Sequence, residues 1–268
     1  MSEDILHLGL IDDEFITLDE AALALAAPDH PGIDLAPYRA LLAEMAEQLT
    51  LHRDAARSVY DQAVLLAAVI AGQYDFRGAV ENYDDPANAD LIAVLDRRRG
   101  MPIALSILYV ALARRVGWRA VGLNTPGHLL VLLGQAPASV IIDPFNAGGV
   151  VERDAIAELQ ARSGVAPAAQ GAVAALSNRA MLVRLLLNQA TRARSAGKLE
   201  RALLLYQRMT TMAPLLSHLW WDRAEVEREL GQVAAARASL NAMLETTRDT
   251  TLRQHIRAVL DNLARSLH

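Results

Sequence analysis

Pro102-Ile103-Ala104-Leu105-Ser106-Ile107-Leu108-Tyr109-Val110-Ala111-Leu112-Ala113-Arg114 is the stretch on which the fold turns. Before its closing arginine it carries two polar side chains, Ser106 and Tyr109. A helix apolar almost all round belongs in a buried, central position. Pro102 suits the first helical turn, where its missing N–H costs nothing, and Gly117 marks the end. Downstream the pattern shortens into three runs, Trp118–Asn124, His128–Leu133 and Ser139–Ile142, separated by Thr125-Pro126-Gly127 and by Gly134–Pro137. Short apolar runs between turn residues read as strands. One buried helix followed by three meandering strands predicts an α+β layer arrangement.

Upstream, the chain reads as helices to about Leu95. Thr17 and Glu20 have capping-box spacing ahead of a short apolar helix, and Pro28 and Pro31 break the chain around His30. Asp34 is placed to cap a helix from Leu35 with Leu41, Leu42, Met45 and Leu49 on one face. A further helix is expected from about Arg53 to Ile70, then a turn-rich segment from Gly72 to Asn88.

The C-terminal third holds an internal repeat. Gly197, Ala202, Tyr206 and Met209 recur 34 residues later as Gly231, Ala236, Leu240 and Met243; Leu186 and Ala190 recur as Trp220 and Ala224. Small residues at a close helix contact, a large residue four later and a turn glycine form the tetratricopeptide pattern, with Pro214 at its closing position and Arg248 departing from it. Trp220 takes a packing position, and Trp221 is left available to a partner. Thr250–Leu267 supplies a capping helix with Ile256, Val259, Leu260 and Leu263 inward. The expected organisation is a core over residues 1–165, a linker over 166–177 rich in Ala, Pro and Gly, and two helical hairpins plus a cap over 178–268, a short solenoid.

Composition excludes several function classes. With 53% hydrophobic and 21% charged residues the chain is folded rather than disordered, and a formal net charge of −5 offers no basic face for nucleic acid. The arginines at 97–99 read as solvated or paired with a helix end. There is no cysteine, which removes disulfides, thiolate metal sites and thiol nucleophiles together. The remaining histidines lack metal-ligand spacing, and no phosphate-binding glycine loop occurs, so neither metal nor cofactor is expected. Met1–Asp13 lacks a signal-peptide pattern and no uncharged apolar run reaches about 18 residues, so no membrane association and a cytoplasmic location are expected.

The residues that could carry chemistry sit around the opening stretch. His128 starts one strand and Asp143 ends the next, so the aspartate is able to orient the imidazole. Such a pair serves a nucleophile at a helix N-terminus, and Pro102, Ser106 and Tyr109 share one face of that helix. Asn82–Asn88, Val94–Leu105, Gly122–His128 and Ile142–Asn146 together resemble the SirB-type branch of transglutaminase-like proteins, a branch that joins this core to C-terminal tetratricopeptide repeats. The resemblance implies that His128 and Asp143 occupy the family's catalytic histidine and aspartate positions. It also implies that the family's cysteine position falls at or beside Pro102, so thiol acyl transfer is excluded. Three uses of the remainder stay open: a brace between strands, a polar ligand or peptide site formed by Asn124, His128, Asp143, Tyr109 and Arg99, and a serine route through Ser106. Arg99 has pairing with Asp96 or Glu81 as its alternative role. The resulting expectation is a non-catalytic regulatory or scaffold protein that binds a protein or peptide partner. The alternative is a hydrolase or transferase of peptide or amide substrates using a non-thiol His128/Asp143 site.

Overall fold

The computed structural model describes residues 3–125, 128–152 and 174–265. Their contacts gather into two compact units, Asp12–Leu185 and a second made of Leu186–His268 together with Met1–Ile11.

The first unit is mixed α/β. It contains helices α2 (Leu18–Ala26), α3 (Ala36–His52), α4 (Val59–Ala67), α5 (Leu91–Arg97) and α6 (Pro102–Arg115). A parallel ribbon pairs β1 (Arg77–Gly78) with β2 (Arg99–Gly100). An antiparallel sheet is built from β3 (Ala120–Thr125), β4 (His128–Gln135), β5 (Ala138–Asp143), β6 (Gly149–Val150) and β7 (Ala174–Ala175), in the order β6-β5-β4-β3-β7. Helix α6 is buried from Pro102 through Ala113 and packs on β3 and β4. Along β4 the side chains alternate, and neither face is left bare: Leu130 and Leu132 form a second cluster with Leu123, Ile141 and Val151. Arg115 ties α6 to α2 through a 2.6 Å bond to the fully buried Asp19.

Several expected boundaries move, each for a local reason. The single helix expected from Arg53 to Ile70 is broken: Ser58 starts α4 with a capping box closed on Asp61, and Ala68–Gln73 winds on as a π-turn. At Thr17 the expected box does not form, because its side chain makes no cap bond and Glu20 pairs with Arg39 at 2.7 Å. Asp34 does bond the start of α3, accepting the Ala36 N–H at 2.9 Å, but the helix begins one residue later than expected. Trp118 precedes its strand; its N–H closes on the Ala113 carbonyl across the Gly117 turn. Pro126 and Gly127, and residues 166–173 of the expected linker, lie outside the described residues.

The second unit is helical. Helix α7 (Asn178–Ser195) contributes its residues from Leu186 onward, followed by α8 (Leu199–Met212), α9 (Ser217–Glu229), α10 (Val233–Thr246) and α11 (Thr250–Arg265). Both bounds of α8 recur in α10 at the 34-residue offset, and the ends of α7 and α9 do the same. The turns repeat as well. Gly197 (φ 71°) and Gly231 (φ 72°) take the left-handed conformation open to glycine, and Lys198 and Gln232 bond Ala193 and Glu227 in turn. Ala202 and Ala236 are completely buried at the helix contacts. Trp220 is partly buried and donates to the Pro214 carbonyl at 2.8 Å. Trp221, expected to be available to a partner, instead packs against the Ala224–Met243 cluster and lies 5.3 Å from the His255 ring. The unit also contains α1 (Glu3–Leu10), whose Gly9 packs so closely on Thr211 that a Cβ there would stand 2.5 Å from the Thr211 carbonyl oxygen. This grouping differs from the expected one, in which the first residues belonged with the core.

Candidate functional site

The site is built at one end of the sheet. β3 and β4 form a hairpin whose closing pair is Thr125 and His128, and the buried Thr125 hydroxyl donates to the His128 carbonyl at 2.9 Å. β4 and β5 run antiparallel with Val131 opposite Ile142, which puts Asp143 diagonal to His128 on the same face. Their side chains meet, with His128 Nε2 2.9 Å from Asp143 Oδ1. The same carboxylate caps the turn Pro144–Asn146, accepting the Phe145 and Asn146 N–H groups at 3.0 and 3.3 Å and the Asn146 amide at 2.6 Å. Burial alone would raise its pKa, but the bond and charge of His128 and the bonds from Asn146 outweigh that and hold the carboxyl below its ordinary range. Asp143 is therefore ionised, and His128 Nε2–H donates to it. That leaves Nδ1 as the second ring nitrogen, with no hydrogen-bond partner among the described residues.

Aromatic rings wall the pair. Phe145 stands edge-on to His128 at 6.0 Å and to Tyr83 at 5.8 Å. Gly78 on β1 admits the Phe145 ring: a Cβ there would lie 2.7 Å from three of its carbons. Tyr109, on α6, is fully buried, and its hydroxyl has no partner among the described residues. Burial, and secondarily the Asp143 charge, keep it protonated far above the usual phenol range.

The other expected residues are distributed as follows. Pro102 opens α6 and is buried, with no functional group at the helix start. Ser106 is fully buried one turn further in; its hydroxyl lies 3.5 Å from the Leu129 carbonyl, a long contact, and has no basic partner. Asn124 is held by Arg184 of α7, which also donates to the His128 carbonyl at 3.2 Å. Arg99 is separate from the pair. Its guanidinium bonds the Asp75 carboxylate at 3.0 Å and the Asp75 carbonyl at 2.6 Å, rather than Asp96 or Glu81. It lines a cleft of ≈ 460 Å³ with Glu81, Asn82, Asn88 and Arg97, and neither His128 nor Asp143 borders that cleft. Asn146 and Phe145 complete the His128 site, and both lie in the Ile142–Asn146 motif. Arg184 carried no sequence signal, being one of several arginines along its helix. Among the described residues no group of three His, Cys, Asp or Glu side chains could hold a metal ion, and no helix is long and apolar enough to cross a membrane.

The arrangement provides an imidazole oriented by a carboxylate, and the start of α6 carries no nucleophile. The family model described as the transglutaminase-like superfamily matches residues 36–187, from α3 through the start of α7. The chain belongs to the transglutaminase-like superfamily. Over nearly its full length it is similar to a UPF0162 protein of Pseudomonas aeruginosa, with 30% identity over 97% of both chains. A UPF0162 protein of Xylella fastidiosa is 28% identical over 89% of this chain and 86% of its own length. A local likeness, 33% over 78 residues, joins this transglutaminase-like chain to F-box only protein 21 of Homo sapiens, covering 29% of the chain and 12% of that protein. No solved structure matches the chain.

Proposed function

We propose that the chain is a non-catalytic regulatory or scaffold member of the SirB-type branch. In this reading it acts in the cytoplasm and binds a protein or peptide partner through its helical repeats, taken as tetratricopeptide-type, and through the degenerate site at His128 and Asp143. The observation that carries the reading is the start of α6. By the resemblance the family's thiol position falls at or beside Pro102, which opens α6; no cysteine exists anywhere in the chain, and Ser106 is buried against a carbonyl rather than set against a base. The repeats support the binding half: their 34-residue periodicity holds in helix bounds and in turn geometry alike.

Two experiments test it. Incubating the chain with glutamine peptides, with and without an amine acceptor, is expected to give no turnover above that of His128→Ala; turnover lost in that variant overturns the non-catalytic reading. Capture from cells by the full chain is compared with Leu204→Glu, on the exposed side of α8, and with His128→Ala. Identical partner sets for all three would remove the binding role. The unpartnered Nδ1 favours one second reading, in which His128 activates a water for amide hydrolysis. The same turnover assay decides it.

A further inference from the structure

The cleft beside Arg99 is built from two segments, 78–82 after β1 and 97–99 between α5 and β2. The parallel ribbon joins them, and the Ala79 N–H donates to the Gly100 carbonyl at 3.0 Å. Asn88, 2% exposed, braces the wall between them. Its amide donates to the Asn82 carbonyl at 2.5 Å and to the Tyr83 carbonyl at 3.4 Å, and its oxygen accepts Arg97 Nη2 at 3.1 Å. Arg97 is fixed again by the Asp85 carboxylate at 2.8 Å, and Arg99 by the Asp75 carboxylate and carbonyl. Two long side chains that would otherwise sample many rotamers are therefore held along the cleft before any ligand arrives.

Neither guanidinium is exhausted. Each has five N–H groups and three are committed, those of Arg97 to Ala93, Asp85 and Asn88, those of Arg99 to Asp75 twice and to the Arg98 carbonyl. The other two on each have no partner among the described residues. Charge is left over as well, because Asp75 is shared by Arg99 and by Arg77, whose Nε lies 2.7 Å from the same carboxylate. Glu81 lines this cleft, is exposed, and has no hydrogen bond or ion pair among the described residues. One cleft thus presents spare donors for a carboxylate and a spare carboxylate for a cation. Its ≈ 460 Å³ lies within the roughly 300–1,000 Å³ of small-molecule sites. Val80 also lines an adjoining groove of ≈ 560 Å³ that includes Tyr83, which leaves room for a side chain.

We propose that this cleft binds a free α-amino acid, its carboxylate on the uncommitted N–H groups of Arg97 and Arg99 and its ammonium on Glu81. Guanidinium N–H groups match a carboxylate in geometry and charge, and an ammonium needs an acceptor of opposite charge; the cleft supplies both. Phosphate fits less well. Asp75 and Asp85 are bonded to these arginines and Glu81 lines the cleft, so a dianion would meet three carboxylates. A ligand of no net charge meets no such opposition. The site shares no residue with the His128–Asp143 pair and is independent of the reading of the repeats as a partner-binding surface.

The test is melting of the full chain with each proteinogenic L-amino acid at millimolar concentration, and with inorganic phosphate, followed by calorimetric titration of those that stabilise. At least one amino acid is expected to raise the melting temperature saturably. Its N-acetyl and carboxamide derivatives, each lacking one of the two charges, are expected to bind about tenfold more weakly. Glu81→Gln changes an exposed side chain that makes no bond among the described residues, and is expected to melt like the wild type without ligand. It should bind the amino acid about tenfold more weakly and leave affinity for the N-acetyl form unchanged, whereas Arg99→Gln should weaken both. Stabilisation by no amino acid, undiminished binding of either derivative, or binding unaltered by Glu81→Gln each overturns the site, as does stabilisation by phosphate alone.

Discussion

Asp143 accepts four hydrogen bonds, from His128, from two backbone N–H groups and from the Asn146 amide, and so joins the hairpin to the turn that follows β5. Its carboxyl titrates below the ordinary value of about 3.9, so near that pH the folded state binds fewer protons than the unfolded one. Its stabilisation is therefore complete above that value and is lost as pH falls through it towards the folded pKa. Asp143→Asn is expected to cost roughly 1–3 kcal/mol at neutral pH and to flatten the acid limb of a urea-stability profile; parallel profiles for the two proteins would contradict this. Tyr109→Phe goes the other way, because the hydroxyl it removes is buried without a partner among the described residues. A gain of about 1 kcal/mol is expected in denaturant titrations, and a loss of that size would mean that a bound water satisfies the hydroxyl. The His128–Asp143 pair was legible in the sequence because a strand start and the next strand's end meet by simple register. The attachments of Asn124 and Arg99 were not, since Arg184 and Asp75 reach them from segments 60 and 24 residues away.

Among the elements, α6 was the easiest to read: a proline, an unbroken apolar run and a glycine define it with no help from the rest of the chain. The start of α4, expected near Arg53 and found at Val59, was harder. Helix-forming residues run through it, and the deciding feature is the Ser58–Asp61 box, whose spacing is present in the sequence but has no apolar signal to draw attention to it. Ser58→Ala should therefore cost about 1 kcal/mol and fray the first turn of α4, measurable as faster amide exchange there. The β1–β2 ribbon depends on a different contact. Gly78→Ala would drive a methyl into the face of Phe145, a rigid ring, and is expected to cost about 1–3 kcal/mol and to move the His128 side-chain resonances. Unchanged resonances would show that the ring yields without disturbing the pair.

At the scale of the molecule, the informative contact is that of α1 with α8. No pattern in an eight-residue amphipathic helix names its partner, so the sequence alone grouped these residues with the nearest core, whereas their contacts group them with the C-terminal helices. Gly9→Ala sets a methyl against the Thr211 backbone carbonyl, which has no rotamer with which to move aside. Hydrogen exchange is expected to rise across Leu199–Met212 and to stay unchanged in β3, β4 and β5; equal loosening of both would show that the two units unfold together.

The same contact sets a schedule for synthesis. The first helix leaves the ribosome roughly two hundred residues ahead of the carbonyl it must meet, which at about 5–20 residues per second is a wait on the order of 10–40 s. Throughout that interval Ile5 and Leu8, both buried in the finished protein, have no surface of their own to cover them. The nascent chain thus passes through a stage in which its mixed α/β unit is complete while the apolar face of α1 is still uncovered. The helical unit is thus assembled from segments synthesised far apart in time.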